Sequence, residues 1–65
     1  MVTEPRRADS LRPGDVIHTR GGVHTILATQ LASRIVTVTA TDRSLGEMPL
    51  MYLHAEFVRT DRRTV

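Results

Sequence analysis

The chain has 65 residues, 40% hydrophobic and 25% charged, with a formal net charge of +2, nine basic residues that are all arginine, and no cysteine. So short a chain supports one domain with a small core, and the missing cysteines exclude a disulfide staple or a cysteine zinc site, which fits a reducing, cytoplasmic setting. No apolar run reaches the length of a membrane span, and "MVTEPRRADS" has no apolar segment behind its charges, so neither a membrane partner nor a signal peptide is expected.

Residues 1–10 are polar, carry Pro5, Arg6 and Arg7, and read as a flexible N-terminal arm. "RPGD" is a turn signal, Pro13 fixing φ and Gly14 free to take a positive one, and it opens a first strand from Asp15 to Arg20. Gly21-Gly22 then reads as a two-residue hairpin loop, placing His18 opposite Thr25 and Val16 opposite Leu27. The second strand runs from Val23 to Leu31. A tight turn at Ala32-Ser33 pairs Thr29 with Val36 and leads into a third strand, Arg34 to Thr41. In these registers one face collects Val16, Val23, Leu27, Leu31, Val36, Val38 and Ala40, and the other collects Thr19, His24, Gln30, Thr37, Thr39 and Thr41. Ile17, Ile26, Ala28 and Ile35 fall on the polar side, to be buried where a small barrel bends or left as an apolar patch for a partner.

Thr41 to Ser44 reads as a turn, and "LGEMPLMYL" as a fourth strand that Pro49 confines to a sheet edge. "HAE" fits a single 3₁₀ turn before a short fifth strand, "FVRT". The fold expected is all-β: one five-stranded SH3-like, alternatively OB-like, barrel over residues 11–60, with 61–65 as a flexible tail. "GEMPLMYLHAEFV" resembles the closing part of SH3 domains, where a Pro and then a Tyr lead through a 3₁₀ turn into the last strand; Pro49 and Tyr52 stand at that spacing. The peptide groove of that family needs a Trp and further aromatics, and this chain has only Tyr52 and Phe57, so recognition of proline-rich peptides is not implied. "LRPGDVIHTRGG" resembles the opening of uncharacterised small proteins of actinobacteria and their phages. It also resembles the Gly-Asp strand entry of translation-factor and ribosomal barrel modules, which bind RNA.

Little in the chain points to catalysis. His18 and His24 fall on opposite faces and, with His54, read as surface or rim residues, so no metal site is expected. The carboxylates are scattered, no serine has a nucleophile-elbow context, and no glycine-rich phosphate loop precedes a helix. The expectation is a non-enzymatic module without cofactor. Its first reading is a protein-interaction or self-associating barrel, bound to an unidentified protein partner or to its own copy through Ile17, Ile26, Ile35, Met51 and Tyr52. The alternative is DNA or RNA binding, with Arg6, Arg7, Arg12, Arg20, Arg34, Arg59, Arg62 and Arg63 on phosphates, encouraged by a pI near 10.5. All-arginine usage is also what GC-rich coding produces.

Overall fold

A computed structural model of the chain describes residues 3–42 and 46–62; Arg63, and the centre of the turn expected at Thr41 to Ser44, lie outside the described residues. The elements are β1 (Thr3–Arg7), a 3₁₀ turn (Ala8–Ser10), β2 (Val16–Thr19), β3 (Gly22–Ala32), β4 (Ile35–Asp42), β5 (Gly46–Leu53) and β6 (Phe57–Asp61). They form one antiparallel sheet in the order β1-β6-β2-β3-β4-β5. The all-β class agrees with the sequence reading, and Pro49 sits in an edge strand as its missing N–H requires.

Of the arm expected at residues 1–10, residues 3–10 are instead part of the fold. Thr3–Arg7 pairs residue for residue with β6, Thr60 Oγ1 donates to the Glu4 carbonyl at 3.2 Å, and Ala8 is fully buried. This strand is held by backbone pairing and carries almost no apolar side chains, so hydrophobic patterning gives it no signal. The 3₁₀ turn also stands here, ahead of β2. Before the last strand there is a simple turn, closed by the Glu56 N–H on the Leu53 carbonyl at 3.0 Å.

Both hairpins are displaced by two residues from the expected registers. Thr19 pairs with Gly22, so the first loop is Arg20-Gly21; Gly22 takes φ +125°, which a side chain would resist. Ala32 pairs with Ile35, so the second loop is Ser33-Arg34, with φ of 50° and 69°. Two successive positive φ values are the requirement of a type I′ loop, met here without glycine or asparagine, and that absence hid the loop from the sequence.

A bulge decides which side chains are inside. The β3–β4 register shifts between Ile26 and Ala28, so β3 carries an extra residue at Leu27. Before the bulge the even-numbered His24 and Ile26 point inward; beyond it the odd-numbered Thr29 and Leu31 share a face with Val38 and Val36. The core therefore joins Ile17 and Val58 from one wing of the sheet (β1, β6, β2 and β3 up to Thr25) with Ile26, Val36, Val38 and Ala40 from the other (β3 from Ile26, β4, β5), capped by Ala8 and Leu11. Ile17 and Ile26, expected at an interaction surface, are 0% and 1% exposed. Conversely, Val23, Leu27 and Leu31, expected inside, are exposed.

Backbone hydrogen bonds tie the wings together at one end. The Ala8 and Asp9 N–H groups donate to the Glu56 and His54 carbonyls at 2.8 and 3.1 Å, and the His54 N–H donates to the Arg34 carbonyl at 2.8 Å.

Ile17→Ala or Ile26→Ala should cost about 2–5 kcal/mol, enough to unfold much of a domain this small, whereas Met51→Ala should stay within about 0.5 kcal/mol. Urea titration followed by circular dichroism separates the two classes. The double change Ser33→Asn, Arg34→Gly should relieve the second loop and raise the melting temperature by roughly 4–8 °C for each kcal/mol gained.

Candidate functional site

The second wing presents two unlike surfaces. Toward the core, β4 contributes Val36, Val38 and Ala40, all buried. On the opposite side the paired registers align three rows of three residues: Ala32, Ile35 and Leu53; Gln30, Thr37 and Met51; Ala28, Thr39 and Pro49. The alternation of β4, half-exposed then buried, is the period-two signature of a strand with one side on the core. None of these nine residues is charged, although a quarter of the chain is. Met51 is 74% and Leu53 59% exposed, so apolar side chains stand in solvent along the β5 edge, with no element covering them among the described residues.

The outer face of the first wing is different in kind. It carries Arg7, which pairs with Asp9 at 3.0 Å, and Arg59, which donates to Thr3 Oγ1 at 2.8 Å. His18 Nε2 lies 2.6 Å from Asp61 Oδ1, joining β2 to β6. Val23 and Phe57 are exposed among these polar groups. This face is a mixed, charged surface with its ion pairs largely internal.

Of the five residues expected to form an apolar binding surface, Ile35 and Met51 lie in the three uncharged rows of the outer face, which the exposed Glu47 borders one row beyond Pro49; Ile17 and Ile26 lie in the core, and Tyr52 turns inward opposite Val36. Leu53 and Pro49 complete the face and were missed, because strand parity on β5 can be assigned only once its pairing with β4 is known.

The described arginines do not gather on one face. Arg6 faces inward beside Val58, mostly buried and paired with Glu4. Arg12 and Arg62 line an open cleft with Gly14, Asp15 and Asp61. Arg20 and Arg34 occupy loops at opposite ends of the eleven-residue β3.

His24, expected at the surface, is only 7% exposed. One ring nitrogen, Nδ1, is 2.7 Å from the Thr41 carbonyl and the other, Nε2, is 3.2 Å from Thr19 Oγ1. Thr19 Oγ1 in turn accepts the Gly21 N–H at 3.1 Å, so this histidine clamps β3 to β4 and to the first loop. Among the described residues no group of three or more His, Asp or Glu side chains could hold a metal ion.

Burial pushes the Tyr52 phenol pKa up, and the nearby Glu56 charge adds to the effect. No family model matches the chain, and neither the curated proteins nor the solved structures contain a match to it.

Because Tyr52 is the only tyrosine and tryptophan is absent, absorbance near 295 nm reports this phenol alone. Its midpoint should lie above the usual value of about 10 in the folded chain and return to it in urea. Glu56→Gln should lower it part of the way. With the folded value raised, Tyr52 contributes stability that is intact below about pH 10 and is lost as pH climbs through the folded pKa.

Proposed function

We propose that this chain is a small non-enzymatic binding module that engages a protein surface through the outer face of its second wing. The observation that carries this reading is the set of three aligned rows with no charge, edged by exposed Met51 and Leu53. Depletion of charge with enrichment in methionine and other apolar groups marks the centre of protein interfaces, and an uncovered sheet face supplies it on a rigid frame. We also read the curled sheet as a small SH3-like barrel. The support is one core shared by both wings and the backbone bonds that join the 3₁₀ turn to the β5–β6 connector.

Two further features favour binding over catalysis. His24 is committed to a clamp, and His18 and Asp61 are committed to each other. The nucleic-acid reading loses support from the scatter of the arginines, since a phosphate-binding stripe needs its cations on one face.

Solvent mapping by NMR tests the proposal at a dilute chain concentration. Isopropanol and similar small apolar probes should shift the amides of Ile35, Thr37, Met51 and Leu53 together. Probes gathering on the first wing instead would overturn the assignment of the surface. A mixed-sequence DNA duplex and then RNA, added at low salt, should leave the second wing unshifted. Salt-sensitive shifts centred on Arg12, Arg20 and Arg62 would instead establish phosphate binding.

A further inference from the structure

Resting on that reading of the surface, we infer that its occupant is a second copy of this chain, seated face to face across a twofold axis.

Three features distinguish a copy from an unrelated partner. The first is electrostatic. A twofold contact sets every residue near the axis against its own kind, so a charged group there meets a like charge. The chain carries a net charge of +2, yet the three rows on the outer face of the second wing hold no charge, the exposed Glu47 standing one row beyond Pro49 at the margin, whereas the outer face of the first wing carries Arg7 and Arg59.

The second feature is hydrogen-bonding type. The polar groups in the rows are the Gln30 amide and the Thr37 and Thr39 hydroxyls. Each is both donor and acceptor, so each can pair with its own copy, which a carboxylate or a guanidinium cannot do. Among the described residues none of the three has a side-chain hydrogen bond inside the chain.

The third feature is the treatment of the sheet edges. β1 and β5 end the strand order, and each carries a proline near its middle, Pro5 and Pro49. On β5 the Leu53 N–H is also taken up by Glu56 Oε1 at 3.2 Å. Proline and occupied amides oppose edge-to-edge pairing of copies. Self-association is left with stacking, in which two sheets lie about 10 Å apart with Met51 and Leu53 of each filling the gap around the central threonines.

The patch is small. Three strands by five residues span about 14 by 17 Å, well below the roughly 800 Å² per partner of a stable complex. The dimer is therefore weak and exchanging, with a dissociation constant on the order of 0.1–1 mM.

Sedimentation equilibrium of the intact chain up to about 2 mM, with amide spectra recorded over the same series, tests the inference. The weight-average mass should climb from 7.3 kDa toward twice that value. The concentration-dependent shifts should fall on Gln30, Thr37, Met51 and Leu53. Met51→Glu and, separately, Leu53→Glu should hold the chain at its single mass while keeping the melting temperature. Val23→Glu, on the other wing, should associate as the parent does. A parent mass that stays at 7.3 kDa, a Met51→Glu chain that associates normally, or shifts confined to the first wing would each overturn the inference. Apolar probes gathering on the three rows of a chain that never dimerises would keep the binding surface and remove the second copy as its occupant. Probes that avoid the rows would remove both.

Discussion

The extra residue at Leu27 is what lets one small sheet enclose a core. A strand shows alternate residues to alternate sides, so without the bulge Ile26 would share a face with Thr39 and Thr41 rather than with Ala40. His24 and Ile26 would then point away from Val36 and Val38, and no single face would hold the apolar side chains of both wings. Inserting one residue changes the phase of β3 midway and adds local twist. The strand serves β2 with its first turn-proximal pairs and β4 with the rest, and one cluster of buried residues forms between the wings.

The surface follows from that change of phase. Once Val36, Val38 and Ala40 are committed to the core, Ile35, Thr37 and Thr39 must face out, with Met51, Leu53 and Pro49 beside them on β5. Among the described residues there is no α-helix to lay over the face. The first wing uses its outer side differently, through Arg7, Arg59 and the His18–Asp61 pair. The resulting asymmetry, charged groups across one wing and three uncharged rows on the other, is the basis for the binding surface proposed on the second wing.

Parts of this were open to reading along the chain. The all-β class, five of the six strands to within one residue at each boundary, and the edge position of the Pro49 strand all follow from local chemistry: alternation, turn residues and the missing proline N–H. The phase change also leaves a trace, since the apolar run Ile26-Leu27-Ala28 breaks the alternation of its flanks. Strand β1 leaves none, because backbone pairing with β6 holds it rather than apolar side chains. The Ser33-Arg34 loop was equally hidden, because its positive φ values fall on residues that do not advertise them.

By itself the sequence determined which residues can enter strands and where the chain can turn, since these depend on neighbours a few positions away. It also determined the absence of cysteine and tryptophan and the arginine-only basic character. The tertiary structure alone decided which side of each strand is wet. Registers two residues away from the expected ones preserve parity, but a single bulge reverses it for half a strand. That reversal put Ile17 and Ile26 in the core and His24 in a clamp, and left Ile35 and Met51 in adjacent uncharged rows of the outer face.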